Sequence, residues 1–316
     1  MEELTLLYFL RIFSLTSLII VSYLSYFFYF KDISLENDLI YIKKNQDLNI
    51  TINNNFRELN LFEKKILKSS IAVYSKYFKN IHYGKFVVSN ETNIYNILKK
   101  ITKPSNYIDK LTIVEGWSQN QLNNMLMKKF NDFNQLSYFD VIADTYYLHS
   151  YENFRDFSFK IINFKNNFLK KYENNQLLDK FSWDEIFIIG SLLEKEGINY
   201  DDKRKIFSVI INRLEKKMRL EIDATVIYAL TDGDYELNRK LTYNDLKIIH
   251  PYNTYKIRGL PPKPISYVGT KTIELIFENY KSDFLFYFFN NDINQHVYSK
   301  TFKEHKQKLN EYRNKK

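Results

Sequence analysis

The sequence predicts an α+β fold behind an N-terminal transmembrane helix, on three observations. Ile12 to Phe30 is a run of 19 residues without a charge. Two apolar-periodic blocks joined by a short polar turn fill 182–219, with the spacing of a helical pair. Phe284 to Phe289 is a strongly β-forming run, answered after NNDINQ by Val297 and Tyr298 as a hairpin. With 316 residues, 45% of them hydrophobic and including 26 Tyr and 26 Phe, the chain can bury a substantial core.

Composition also removes function classes. There is no cysteine, so disulfides, thiol catalysis and thiolate metal sites are excluded. No zinc, nucleotide or flavin motif occurs, and neither a metal nor a cofactor is expected. The net charge of +9 suits nucleic acid, anionic lipid or an acidic polymer. The lysines are dispersed among Asn, Ile and Phe, and no nucleic-acid-binding motif is present, so a nucleic-acid partner is not expected.

Taken in order, Ile12–Phe30 matches the length of a membrane-crossing helix, with Tyr23, Tyr26 and Tyr29 gathered toward one interface. No small-residue cleavage site precedes Lys31, so the segment is expected to stay as an anchor. Residues 31–110 form a first soluble segment. Asp47–Ile52 and Lys85–Val88 read as strands, and Leu59–Tyr77 and Asn93–Ile101 as helices. Leu111–Val114 is a short strand, and Glu115-Gly116 turns into a helix with Leu122, Met125 and Leu126 inward. In VIADTYYLHS, Asp144, Thr145 and Tyr146 either line a cleft or form a turn anchored by Asp144. Phe154–Tyr172 is a long helix leading to the central pair.

The pair opens with Ser182 as N-cap and Glu185 completing a capping box. Ile186, Ile189, Leu192 and Leu193 make one apolar face, and at about 100° per residue Glu196 falls on it. Glu194 points about 200° away, beside Gly190 and Ser191, as a solvated charge. A carboxyl among aliphatic side chains keeps its proton near neutral pH, which a general acid requires. The competing reading has Glu196 at a frayed helix end beside Gly197, reaching water. The second helix starts near Asp201 or Asp202 and buries Ile206, Phe207, Val209, Ile210 and Leu214. Arg213 is either a surface residue or a partner for a carboxylate or substrate.

Asp223 and Thr225 read as a turn with a cap leading into a helix. The chain has only 5 Pro and 7 Gly, yet Pro251, Pro261, Pro262 and Pro264, with Gly259 and Gly269, crowd into 250–269. Such a segment is rigid and irregular. Tyr252, Asn253 and Tyr255 within it suit gripping a sugar ring, or else stabilise a buried loop. His296 precedes the second hairpin strand, a helix runs from Lys303, and the basic tail to Lys316 is solvated.

Four blocks taken together, SLLEKEG, FSVIINRLEKKMRLEIDATVIYAL, HPYNTYKIRGLPPKPIS and HVYSKTFKEH, resemble the endolytic murein transglycosylases, the YceG-like family of bacteria. The likeness runs from about Val114 to the C-terminus. It implies Glu196 as the catalytic acid, with Asn212, Asp223, Thr225, Tyr252, Asn253, Tyr255 and His296 as substrate-binding candidates. It further implies a cytoplasmic tail over 1–11, the anchor over 12–30, a LysM-like subdomain or spacer over 31–110 and a mixed α+β catalytic domain over 111–316. The catalytic domain would lie outside the cytoplasmic membrane, acting on peptidoglycan glycan strands, with peptidoglycan synthases as candidate partners. Ala143, Glu221, Ala224 and Asn294 depart from the family's pattern, which has proline, glutamine, proline and glycine there.

The implied reaction needs a single carboxyl group. The acid protonates the oxygen leaving N-acetylmuramic acid, and its carboxylate then takes the proton of the sugar's own C6 hydroxyl as that oxygen closes on C1. The product is a 1,6-anhydro sugar, and the intramolecular nucleophile gains from proximity. Two other readings stand beside it: a hydrolytic muramidase with Asp223 as second carboxylate, and a non-catalytic wall-binding or scaffold protein.

Overall fold

The computed structural model describes residues 2–35, 38–43, 46–77, 80–88 and 92–314, with the side chains of 2–4 left aside. It divides into two compact units, Met1–Asp109 with Tyr147–Glu152, and Lys110–Tyr146 with Asn153–Lys316. The tail residues Lys315 and Lys316 lie outside the described residues.

The first unit begins with α1 (Glu2–Ser25), continued by a π-helical turn over Tyr26–Phe30. Thr5–Phe30 is long and apolar enough to cross a membrane. The π turn widens the helix where it meets the unit. It carries Phe27 into the core, beside Ile33, Ile40, Leu67 and Phe86. No flexible linker intervenes: Lys31 ion-pairs with Glu63, and the Asn93 amide donates to the Tyr29 carbonyl at 2.9 Å.

Next come β1 (Asp32–Ile33), β2 (Leu39–Ile42), α2 (Leu48–Asn55), α3 (Leu61–Tyr77), β3 (Gly84–Val87), β4 (Thr92–Asn93), α4 (Ile94–Ile101) and β5 (Ile108–Thr112, passing into the second unit at Lys110). The pairs β1–β4 and β2–β3 are antiparallel. The strand expected over Asp47–Ile52 is instead the start of α2. Asp47 caps it, accepting from Asn49 N at 2.7 Å, and the Asn55 side chain ties the helix end to both backbone groups of Tyr41. These local polar bonds outweigh the alternation of Leu48, Ile50 and Ile52, and Ile50 is left 50% exposed.

The second unit contains α5 (Gln119–Lys129), β6 (Ile142–Ala143), β7 (Thr145–His149, entering the first unit at Tyr147), α6 (Phe154–Leu169), α7 (Trp183–Glu196), α8 (Tyr200–Glu215), α9 (Asp223–Thr231), β8 (Val268–Gly269), α10 (Thr270–Glu278), β9 (Phe286–Asn290), β10 (Gln295–Ser299) and α11 (Phe302–Asn314). β6 and β8 pair in parallel, and β9 and β10 form the expected hairpin, with His296 inside the second strand. Ser182 caps α7 in a full capping box with Glu185. Asn199, rather than Asp201 or Asp202, caps α8, accepting from Asp202 N.

Helix α7 is the axis of this unit. Every residue from Ile186 to Leu193 is buried, so between its first and last turns the helix has no solvent face. A Cβ on Gly190 would meet Val268 at 2.7 Å, so glycine is what lets β8 lie against the helix. Ser191 is also fully buried; its hydroxyl accepts from Ile265 N at 3.0 Å and donates to the Ile188 carbonyl at 2.7 Å.

That packing overturns the expectation for Glu194. Its side chain is only 2% exposed, ion-paired with Lys203, and it accepts from Gly269 N at 3.0 Å. The face opposite the aliphatic stripe is a second packing face, and Glu194 is the polar bolt that joins α7 to α8 and β8.

Candidate active site

Glu196 is the last residue of α7, where the helix emerges from the core. It opens on a cavity of about 500 Å³ lined by Asn120, Gln121 and Asn124 of α5, Asp223 and Tyr228 of α9, and Ile265. One carboxylate oxygen accepts from Tyr287 OH at 3.1 Å, the other from Ala224 N at 3.4 Å. Burial pushes the Glu196 carboxyl above the usual carboxylate range, and the nearby charge of Asp223 adds to this. The two hydrogen bonds and His296 pull the other way without cancelling it. A group that holds its proton longer than an ordinary glutamate and faces a cavity can act as a general acid.

Asp223 and Tyr255 reach the cavity region together, with Tyr255 OH donating to Asp223 Oδ1 at 2.7 Å. Burial and that carboxylate raise the Tyr255 phenol, so it stays a donor at any physiological pH. Asp223 lies in the first turn of α9 without capping it; Ile222 holds the cap position.

The remaining candidates are placed differently. Thr225 is fully buried, bonded to the Ile222 carbonyl and to Thr254 Oγ1. Asn253 is also fully buried. Its amide donates to the carbonyls of Leu246 and Ile248, and its oxygen accepts from Tyr255 N. Both amide donors are used and the side chain is sealed from solvent, so Asn253 shapes the proline-rich loop from within. Tyr252 packs on Tyr228, with ring centroids 4.7 Å apart, and buttresses the cavity wall. Asn212 is spent on the carbonyls of Ser282 and Phe284, beside a separate surface hollow that includes Lys300. His296 stands behind Tyr287, edge-on at 5.2 Å, with Nδ1 2.9 Å from Asp202 Oδ2. Asp202 also accepts from Tyr298 OH and Ile198 N. Burial opposes its ionisation, but these bonds prevail and hold its pKa below the usual value.

Arg213 is neither exposed nor at the cavity. Its guanidinium, 7% exposed, binds the carbonyls of Leu285, Arg219 and Leu220 and the Glu221 carboxylate, so it fastens the start of the hairpin to the irregular segment before α9. In the Val141–Ser150 block, Tyr146 is buried, with its hydroxyl on the Ile142 carbonyl, and Asp144 caps its own turn through Thr145 N.

Residues 40–311 match the sequence model of the YceG-like family. The chain belongs to that family. It is similar to the endolytic murein transglycosylase of Bacillus subtilis strain 168, 37% identical over 147 residues, which are 46% of this chain and 39% of that protein. It is similar also to the endolytic murein transglycosylase of Streptococcus pneumoniae serotype 2, 36% identical over 107 residues, 33% of this chain and 19% of that protein. The matched stretches thus span well under half of these relatives. The crystal structure of a yceG-like protein from Listeria monocytogenes shares the fold, with a TM-score of 0.56 and 24% identity, covering 85% of this chain and 97% of that one.

Departures from the YceG-like pattern have local physical accounts. Asn294 has φ 49°, a left-handed conformation that asparagine tolerates better than other non-glycine residues. Glu221, at φ 52°, turns its carboxylate onto Arg213. Ala224 supplies the N–H that reaches Glu196, which a proline cannot do. Ala143 is buried in the parallel pairing with Gly269.

Tyr287 is the site residue that the sequence did not single out. Partly buried beside Glu196, its hydroxyl is raised well above the ordinary value by desolvation and by that carboxylate, and it remains a donor. Its bond favours the ionised form of Glu196. Tyr287→Phe is therefore expected to raise the Glu196 pKa further, and the alkaline fall of activity should move to higher pH. The rate at the optimum should drop about ten-fold, as expected for losing one hydrogen bond to a charged group. A pH–rate profile of the variant checks both, and an alkaline limb that stays in place would contradict the role.

Proposed function

We propose that this chain is a membrane-anchored endolytic lytic transglycosylase that cleaves the MurNAc–GlcNAc β-1,4 bond of nascent peptidoglycan strands, leaving 1,6-anhydro-MurNAc ends and terminating glycan elongation. The observation that carries the reading is one half-buried, desolvated carboxyl, Glu196, held toward its protonated form at the wall of a cavity roomy enough for sugar rings. Membership of the YceG-like family and the names of the two curated relatives support it.

Glu196 gives its proton to the glycosidic oxygen. Tyr287 OH and Ala224 N then stabilise the carboxylate that forms, which is the state they already address. That carboxylate accepts the C6 hydroxyl proton as the anhydro ring closes, and the acid is regenerated. α1 is the anchor, with the catalytic unit on the extracytoplasmic side and synthases of the same polymer as partners. The first unit is a LysM-like wall-binding module or spacer, a reading supported by two helices closed by the antiparallel β2–β3 pair.

A hydrolytic muramidase has one observation in its favour, that Asp223 shares the cavity with Glu196. Mass spectrometry of murein treated with the full chain in detergent separates the readings. Muropeptides carrying 1,6-anhydro ends are expected; products heavier by one water would establish hydrolysis, and undigested murein would leave a binding protein.

A further inference from the structure

We propose that the groove at the foot of α1 is a binding site for an anionic phospholipid of the membrane that holds the anchor. The inference rests on α1 being that anchor.

The groove lies within the first unit and has a volume of about 610 Å³. One wall is the last turn of the membrane segment itself, Phe28 and Tyr29. The others are Val73 of α3 and Tyr95 and Leu98 of α4, with the rings of Tyr29 and Tyr95 5.1 Å apart. Because the anchor's end forms the wall, the groove opens where headgroups meet acyl chains.

The surrounding surface points to the same depth. Phe62, at the start of α3, packs on Tyr23 of the membrane segment with centroids 6.3 Å apart. Tyr23 precedes Phe30 by about 10 Å along the helix. Leu61 and Phe62 are nevertheless 82% and 62% exposed within the protein. Apolar side chains bare at this depth have lipid as their natural cover.

Charge selects the kind of lipid. Lys99 in the last turn of α4 and Lys103, two residues beyond its end, stand at the groove, and neither makes an ion pair among the described residues. Two free ammonium groups over an apolar, aromatic-walled slot match a phosphate above acyl chains. A zwitterionic lipid offers the same chains but cancels the charge.

The test uses the full chain in a neutral detergent, with native mass spectrometry after adding equal phosphatidylglycerol and phosphatidylcholine of matched chains. Preferential retention of phosphatidylglycerol is expected. Lys99→Glu with Lys103→Glu should lower it at least about ten-fold, since each lysine near a lipid phosphate contributes substantially. Lys170→Glu with Lys171→Glu, on the second unit, should leave it unchanged. Tyr95→Ala should weaken retention of either lipid, and glycerophosphoglycerol, the headgroup without chains, should not compete. Equal retention of both lipids by the parent, an unaffected Lys99/Lys103 variant, an equal loss in the control pair, or competition by the headgroup alone would each overturn the site. Unfolding temperatures of the variants identify any that lose binding by misfolding; for these, Lys99→Gln with Lys103→Gln repeats the test. Flotation of the full chain with phosphatidylcholine vesicles, resistant to carbonate, tests the anchor separately. Its failure would remove the anchor and the site together, whereas flotation without lipid preference would remove the site alone.

Discussion

Glu196→Gln is expected to abolish formation of 1,6-anhydro muropeptides while making the protein more stable at neutral pH. The amide keeps the shape of the side chain but carries no transferable proton. General acid–base catalysis by one group is typically worth about 10²–10⁴-fold, and here one group serves twice, so the loss should reach or pass the upper end. The stability gain follows from linkage. Burial raises the Glu196 pKa in the folded state, so between the unfolded value of about 4.3 and the folded one the native protein holds more protons than the unfolded chain. Parent stability therefore falls as pH rises through that window, and glutamine removes the titration. The variant should unfold at a higher temperature than the parent at pH 7, with the gap closing as pH falls toward about 4. Muropeptide analysis and thermal scans at both pH values check the pair of outcomes. Activity equal to the parent's would end the transglycosylase reading.

Glu194→Gln, two residues earlier, should do the opposite. Its carboxylate is nearly sealed from water, pairs with Lys203 and receives the Gly269 N–H. Removing one member of a buried pair costs roughly 3–5 kcal/mol; the low end, about 3 kcal/mol, applies because Lys203 keeps 15% exposure and can draw on water. Denaturant unfolding should show the midpoint lowered, with activity per folded molecule largely retained. A Glu194→Gln protein as stable as the parent would mean that the pair is worth no more than a surface contact. An inactive Glu194→Gln beside an active Glu196→Gln would exchange their roles.

These two glutamates mark how far the sequence could be read. The helical phase that directs Glu196 to a packed environment is a local property, and the capping box and hairpin are local too. Glu194 was legible only in retrospect. Gly190 and Ser191 sit on its side of α7, and small residues there signal a close neighbour as readily as a polar face. The proline-rich loop was recognisable from composition, but composition could not separate Asn253, consumed by its own loop, from Tyr255, which reaches Asp223. Tyr287 lies 91 residues from Glu196 in a chain crowded with aromatics, and no local pattern distinguishes it from its neighbours in β9. The strand expected at Asp47–Ile52 failed because alternation over six residues competes poorly with a cap at one end and an asparagine clamp at the other.

The junction of α1 with the first unit sets how that unit can explore its surroundings. A flexible linker of n residues would let a domain sweep a radius of about 5–6 Å times the square root of n. Here the helix ends with Phe27 inside the core and Lys31 locked to Glu63, so that radius vanishes. With α1 in a bilayer, the unit drifts laterally and spins about the membrane normal, but it neither rises nor tips independently of its stem. Any ligand it takes is met at one fixed height, so whatever it binds would be sampled as a layer of defined thickness rather than as a volume.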